Sequence, residues 1–163
     1  MNAAFVHLHL HTSYSLLDGA CRPEDAVQAA VDNEMPAVAI TDHGVMYGAM
    51  EFYKAARRRG IRPIIGCEVY VARGNRAAGA NAVADVAPPH HLILLAETDQ
   101  GYHNLVRLVS ASHTAGLHTR PRIDKELHAA HHKGLIALSA CWNGEVAAHL
   151  LNDDFGAALR ASG

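Results

Sequence analysis

Apolar residues recur along the chain in short runs whose spacing predicts secondary structure. Five runs have the alternation, or the continuous apolar character, that is typical of strands: residues 6–10, 37–40, 61–71, 92–95 and 135–139. Helix signals mark the intervening segments: residues 23–33 and 46–59, a helix from Thr98, a short helix capped by Asp124, one from after Cys141 to about 151, and one in 152–163. Strands that alternate with helices predict an α/β fold with parallel strands, in an open sheet or a closed barrel.

The chain has the length and apolar content of one domain with a core of its own, with 163 residues of which 50% are hydrophobic. Two helices carry apolar stripes at helical spacing, Ala49, Phe52, Tyr53 and Ala56 in one and Leu105, Val106, Leu108 and Val109 in the other. Residues 73–89 interrupt the pattern, because they are rich in Ala, Gly and Asn and end in two prolines. This stretch predicts a loop or an insertion within the domain.

The first predicted strand places three histidines on one face. Val6, Leu8 and Leu10 alternate with the histidines at 7, 9 and 11, so that in an extended chain the apolar side chains and the imidazoles lie on opposite faces. Two imidazoles at positions i and i+2 converge on one metal ion without rearrangement of the backbone. The alternative is a polar strand face in water.

Further metal-binding side chains follow other predicted strands. His43 and Cys141 each come directly after an apolar run, where the carboxyl ends of parallel strands form the site of such folds. Glu68 lies within an apolar strand, where a carboxylate is costly unless it is paired or binds a metal. His91 precedes its apolar run and fits this rule least well, and Cys141 could equally be a buried thiol.

The overall charge gives no basis for an independent grip on nucleic acid. Lys and Arg number 14 against 16 Asp and Glu, a net charge of −2, whereas the 13 histidines are a compositional pointer to metal. The 3 cysteines form no CxxC pair and indicate neither a disulfide framework nor a zinc ribbon. No targeting signal or long apolar stretch is apparent, so the sequence predicts a cytoplasmic protein with no membrane contact.

Several segments together resemble a known family. They are HLHLHTSYSLLDG, AITDHGVMYGAMEFYKAARRRGIRPIIGCEVYVA, HLILLA, GYHNLVRL, RPRID and GLIALSAC. These segments resemble the polymerase and histidinol phosphatase (PHP) domain, and more narrowly the PHP domain at the amino terminus of bacterial replicative DNA polymerase III alpha subunits. The resemblance covers nearly all of residues 1–163 and is weakest in 73–89. It implies a distorted (β/α)7 barrel of the PHP type.

The resemblance also implies a ligand set for up to three metal ions. The matching residues are His9, His11, Asp18, His43, Glu68, His91 and Cys141. A last Asp-x-His motif of the family has no match up to Gly163, so we expect this chain to be the amino-terminal portion of an incomplete barrel. Asp42 is expected to orient a neighbouring ligand, as carboxylates behind metal-bound imidazoles do, or to cap a turn. His7 is expected to be structural or to lie behind the ligands, His90 to face away from His91, and Cys67 to pack as a small hydrophobe.

The resemblance implies a function for the longer protein to which such a domain belongs. That protein would be a DNA-directed DNA polymerase, a nucleotidyltransferase of DNA replication, and its partners would be DNA, a proofreading exonuclease subunit and other replisome subunits. The PHP site itself would be a metal-dependent phosphoesterase or 3′-5′ exonuclease site, with zinc first and manganese or iron as alternatives. We expect this chain alone to have little activity. The rival hypotheses are a free-standing PHP metallo-phosphoesterase and a structural PHP module that docks a proofreading exonuclease.

Overall fold

The computed structural model describes residues 5–76, 88–117 and 119–163. The described residues form five strands and six helices. The strands are β1 (Ala37–Ile40), β2 (Arg62–Val71), β3 (His90–Ala96), β4 (Arg122–Ile123) and β5 (Leu135–Leu138). The helices are α1 (Pro23–Asp32), α2 (Ala49–Arg59), α3 (Asp99–Ala115), α4 (Lys125–Ala130), α5 (Glu145–Leu151) and α6 (Phe155–Ser162). The predicted α/β class is confirmed.

The sheet has the order β1-β2-β3-β5, and β4 pairs with β2 off this path. β1 and β4 run parallel to β2, but β3 runs antiparallel to both β2 and β5, so the prediction of a purely parallel sheet is wrong at β3. Val71 pairs with His90, which means that the chain re-enters the sheet at the edge where it left β2. A parallel return would need a crossover that carries the chain back to the opposite edge of the sheet, whereas β3 starts where β2 ends.

The predicted loop at 73–89 lies partly outside the described residues. Residues 73–76 and 88–89 contain neither helix nor strand, and residues 77–87 are outside the description.

The first predicted strand is extended but does not form a regular ladder. The Ala39 N–H donates to the His7 carbonyl, and the Thr41 N–H donates to the Leu10 carbonyl, so this segment lies beside β1. The Thr41 hydroxyl also accepts from the Leu10 N–H, which replaces a ladder bond. Leu10 packs on the core, whereas Leu8 is 39% exposed, so the predicted apolar face is only partly buried.

Two apolar clusters fix the helices on the sheet. One joins β1 to α1 and α2 around Val38 and Phe52, and the other joins β2 and β3 to α3 around Leu94 and Leu105. The predicted stripes need correction, since Tyr53 and Val106 are exposed and α2 begins at residue 49 rather than 46. The capping roles predicted for the Thr98 and Asp124 side chains are confirmed.

Within the described ranges, no helix is both long and apolar enough to cross a membrane.

Candidate metal centre

The predicted ligands meet where β1 and β2 end and β3 begins. His43 follows β1 and forms a parallel bridge with Glu68 of β2, while His91 pairs with Tyr70 two residues further along β2. The reversal of β3 explains why His91 precedes its apolar run. In an antiparallel strand, the first residues lie at the same edge as the last residues of the neighbouring strand.

Six of the seven predicted ligands form three overlapping groups, in each of which the ligand atoms lie within 4.8 Å of one another. The groups are His9 with His11 and Glu68, His11 with Asp18 and His43, and His43 with Glu68 and His91. Shared members link all three groups into one continuous cluster. Each group has imidazole nitrogens and a carboxylate oxygen, which is the donor set of a divalent metal site.

Glu68 lies at the centre of the cluster and is 1% exposed. Its Oε2 is 2.5 Å from the His9 Nε2 and 3.0 Å from the His11 Nε2. Its Oε1 contacts the His91 Nδ1 and lies 3.7 Å from the His43 Nδ1. Burial acts to raise the pKa of Glu68, but the hydrogen bonds from His11 and His91 outweigh it and hold that pKa well below its usual value. The side chain is therefore an anion that faces four imidazoles.

The histidines differ in their response to this environment. Burial acts against a charge on His11, but the hydrogen bond and the charge of Glu68 outweigh burial and raise the pKa of His11. Burial lowers the pKa of His43 despite the opposing effect of Asp18, so we treat its ring as neutral. Its Nε2–H then donates to the Asp18 carboxylate at 2.9 Å, and this hydrogen bond lowers the pKa of the exposed Asp18.

An unpartnered nitrogen and a pair of crowded nitrogens in this cluster fit a bound cation. The His43 Nδ1 is buried and has no hydrogen-bond partner among the described residues, and it faces the Glu68 carboxylate. The Nε2 atoms of His9 and His11 lie 2.9 Å apart and both approach the same carboxylate oxygen. A buried acceptor without a donor is costly, and a divalent metal ion would satisfy the His43 Nδ1 and relieve the close approach of the two Nε2 atoms.

Asp42 supports the cluster indirectly. Among the described hydrogen bonds, its carboxylate makes none to a ligand side chain. Its carboxylate is buried and accepts from the Thr12 N–H, the Thr12 hydroxyl and the Ser15 hydroxyl. Ser15 in turn contacts the His11 Nδ1 at 2.9 Å and accepts from the His43 N–H at 3.0 Å. Asp42 thus orients two of the predicted ligands through Ser15.

Tyr70 and Arg120 are two residues at this edge that the sequence reasoning missed. The Tyr70 ring stacks on His43 with centroids 5.9 Å apart and meets His91 edge-on at 5.0 Å. Arg120 donates to the Tyr70 hydroxyl and lies over its ring. A signal for Tyr70 did exist, because residues i and i+2 of a strand share a face and Tyr70 is two residues beyond Glu68.

Cys141 is the one predicted ligand that belongs to none of the three groups of described residues. It is exposed in the loop after β5, so the alternative of a buried thiol is wrong. Its loop is nevertheless tied to the cluster, because the neighbouring Asn143 carbonyl accepts from the His91 N–H at 2.9 Å. The role of Cys141 as a ligand stays a prediction.

The other side chains weighed from the sequence also have defined places. Cys67 is fully buried in the β2–β3–α3 cluster, as expected of a small hydrophobe, and burial raises the pKa of its thiol. His7 is exposed and contacts Phe5 edge-on. His90 pairs with Val71 and lies near His149. None of these residues takes part in the three groups.

Residues 7–162 match the family model of the PHP domain, and the chain belongs to this family. Among curated relatives, the DNA polymerase III subunit alpha of Chlamydia trachomatis is 45% identical over 151 residues, which are 92% of this chain and 12% of that protein. The DNA polymerase III subunit alpha of Thermus aquaticus is also 45% identical over 151 residues, with 91% of this chain and 12% of that protein covered. The chain thus spans about one eighth of the length of these relatives.

Among solved structures, an amidohydrolase from Chromobacterium violaceum superposes with a TM-score of 0.47 at 27% identity and covers 66% of this chain and 33% of that chain. The resemblance to PHP domains of polymerase III alpha subunits that the sequence motifs indicated is confirmed by the family match and the curated relatives.

Proposed function

We propose that this chain is the PHP portion of a bacterial replicative DNA polymerase alpha subunit and that its cluster of histidines and carboxylates binds divalent metal ions. The observation that carries the metal proposal is the buried Glu68 carboxylate, which faces four imidazoles at once. The parent protein would be a DNA-directed DNA polymerase of the cytoplasm. Its partners would be DNA, a proofreading exonuclease subunit and other replisome subunits.

The proposed reaction of the PHP site is hydrolysis of a phosphoester, with a 3′-5′ exonuclease as the specific form. Metal ions bound at such a site supply a water nucleophile near neutral pH and stabilise charge on phosphoryl oxygens. In this chain, Glu68 would join two neighbouring positions, because its two oxygens serve different groups of ligands. Where no ion occupies the group of His11, Asp18 and His43, Asp18 would hold the His43 ring through the Nε2–H and leave the Nδ1 free to bind a metal in the group of His43, Glu68 and His91.

The donor set favours first-row transition metals over calcium or magnesium. Imidazole nitrogens suit zinc, manganese and iron, and we propose zinc first because mixed His and carboxylate sites are its usual environment. The three overlapping groups would accommodate up to three ions in an intact domain. Cys141 would join them if its loop turned toward His91.

A scaffolding function is the second candidate, in which the domain docks a proofreading exonuclease subunit. It is favoured by exposed apolar side chains in the loops that flank the ligands, since Leu17 is fully exposed beside Asp18 and Trp142 is 76% exposed beside Cys141. A contiguous exposed apolar patch is a mark of a protein contact, whereas singly exposed apolar residues are normal. A free-standing phosphoesterase has less support, because the curated relatives described above are polymerase subunits.

Metal content tests the proposal directly. The chain, incubated in turn with Zn²⁺, Mn²⁺ and Fe²⁺ and then desalted, should retain metal by elemental analysis and unfold at a higher temperature than the metal-free chain. His9→Ala and Glu68→Gln should lower both readouts, whereas His7→Ala is a matched control because His7 lies in the same segment and in none of the ligand groups. A wild-type chain that retains none of these metals would contradict the proposal.

A second measurement separates hydrolysis from scaffolding. Metal-dependent shortening of a 5′-labelled single-stranded oligonucleotide, lost in His43→Ala, would support hydrolysis from the 3′ end. A metal-loaded chain that leaves the oligonucleotide intact but retains the purified exonuclease subunit in a pull-down would favour scaffolding.

A further inference from the structure

Arg120 places a positive charge on a tyrosine that contacts two of the proposed metal ligands. It is exposed and precedes β4, and its guanidinium carbon lies 4.8 Å from the centroid of the Tyr70 ring. The same ring contacts His91 on one side and His43 on another, with centroids 5.0 and 5.9 Å away. The Tyr70 ring therefore contacts both Arg120 and two side chains of the proposed metal edge.

The backbone around Arg120 is anchored to the turn that follows His43. Gly44 has a φ of +64°, and a Cβ atom at this position would lie 2.8 Å from Cγ of Pro121 and 3.3 Å from the Tyr70 ring. The His113 imidazole contacts the Gly44 carbonyl through its Nε2 at 2.8 Å. The close approach that Gly44 allows fixes the segment carrying Arg120 against the site.

The charge of Arg120 is not neutralised by a carboxylate of the described part of the chain. Its described contacts are the hydrogen bond to the Tyr70 hydroxyl and the stacking on that ring. A guanidinium has five N–H donors in a planar fork that matches two oxygens of a phosphate. The Tyr70 hydroxyl accepts from one of these donors. The tyrosine thus orients the guanidinium and leaves donors for an anion.

We propose that Arg120 binds a non-bridging phosphate oxygen of the substrate at the metal edge, and that Tyr70 is the positioning residue that holds Arg120 there. The inference rests on the proposed phosphoester function and extends it to the residue that recognises the phosphoryl group. Arginine suits this role because its hydrogen bonds to phosphate combine charge with two-point geometry.

Phosphate titrations test the inference with the chain loaded with Mn²⁺ and freed of excess metal. Isothermal calorimetry with inorganic phosphate should give a dissociation constant that rises about tenfold in Arg120→Gln, the change expected from loss of a charge-assisted hydrogen bond. Arg120→Lys should recover part of the affinity, because lysine keeps the charge without the fork. Arg107→Gln is the matched control, since Arg107 is exposed on α3 and should leave phosphate affinity unchanged.

Tyr70→Phe tests the positioning role, because it keeps the ring against His43 and His91 and removes only the hydroxyl that Arg120 contacts. It should weaken phosphate binding while bound Mn²⁺, measured by elemental analysis, stays at the wild-type level. A second titration with the dinucleotide TpT, whose single phosphate is a diester, identifies the source of the phosphate. If Arg120→Gln loses affinity for both probes, Arg120 binds oxygens that free phosphate and phosphodiesters share. If it loses affinity for TpT alone, Arg120 recognises a phosphodiester.

The inference is overturned if Arg120→Gln binds both probes as tightly as the wild type, or if the wild type binds neither. It is also overturned in its positioning part if Tyr70→Phe has wild-type affinity. Metal content is a separate readout. A chain that takes up none of Zn²⁺, Mn²⁺ and Fe²⁺ but loses phosphate affinity in Arg120→Gln would reject the metal proposal and support phosphate recognition by Arg120.

Discussion

Asp42 is a residue whose effect on the site passes through its neighbours. Its carboxylate is 1% exposed and accepts three hydrogen bonds, at 2.6 Å and 2.8 Å from Thr12 and at 2.7 Å from Ser15. Ser15 contacts the His11 ring and the His43 backbone. A buried carboxylate with three donors stabilises the loop after the first extended segment, and it also fixes the geometry of two predicted ligands.

Asp42→Asn should lower the free energy of unfolding of the metal-free chain by roughly 2–3 kcal/mol, because the amide places an N–H₂ group against donors that need an acceptor. Urea unfolding followed by circular dichroism measures this change. Asp32→Asn is the control, since Asp32 is exposed and accepts one hydrogen bond from Gln28, so its effect should stay within about 0.5 kcal/mol. Equal losses in the two variants would show that the Asp42 network adds no stability.

At the residue scale, the sequence predicts contacts that depend on local spacing and misses those made by the fold. His9 and His11 follow from alternation along one extended segment, and Glu68 from the cost of a carboxylate among apolar residues. Arg120 meets Tyr70 across 50 residues of chain, and no local pattern indicates that contact. It arises because β4 pairs with the end of β2 and brings the preceding segment beside the site.

At the scale of elements, strand and helix positions are more predictable than strand direction. Helix starts follow from local chemistry, such as the Thr98 side chain, which accepts from the Gly101 N–H. Direction depends on how the chain returns to the sheet, and no local pattern in residues 73–89 distinguishes an antiparallel return from a crossover. That reversal moved His91 from the weakest predicted ligand to a direct neighbour of Glu68.

Asp124 joins the start of α4 to Arg76 in the segment after β2, and its carboxyl group makes this contact dependent on pH. Its carboxylate accepts from the Leu127 N–H as the helix cap, and it pairs with the Arg76 guanidinium through both oxygens at 2.9 Å. Burial acts to raise the pKa of Asp124, but the hydrogen bonds from Leu127 and Arg76 outweigh it and hold that pKa below its usual 3.8. A carboxyl whose pKa is depressed in the folded state stabilises the fold at pH values above its unfolded-state pKa. This contribution is lost as the pH falls through the folded-state pKa.

Asp124→Asn should therefore lower the free energy of unfolding by about 1–2 kcal/mol at pH 7, since asparagine keeps the cap but loses the charge facing Arg76. The difference from the wild type should narrow as the pH is lowered below 3.8, which urea unfolding at pH 7 and pH 3 would measure. Asp154→Asn is the control, because Asp154 caps α6 in the same way but is exposed. If Asp124→Asn lowers the free energy of unfolding by the same amount at pH 7 and pH 3, the charge of Asp124 does not stabilise the fold.

At the scale of the whole molecule, the described sheet ends at β5, whose outer edge pairs with no further strand. β5 pairs with β3 on one side, and the sheet described here has no further strand on its other side. Ile136 of β5 is 45% exposed, and α5 and α6 also expose Leu151, Phe155 and Leu159. Unpaired backbone groups beside exposed apolar side chains form a template for pairing with another chain.

We therefore expect the isolated chain to associate as its concentration rises, with β5 as the contact. Ile136→Lys should reduce association, because a lysine on an edge strand places a charge where a second strand would pair. Sedimentation velocity over a range of concentrations measures the average mass. Val106→Lys is the control, because Val106 is an apolar residue with 39% exposure that belongs to α3 and not to the edge strand. If both lysine variants associate like the wild type, the contact does not involve β5, and if the wild type stays monomeric throughout, the open edge is protected by the chain itself.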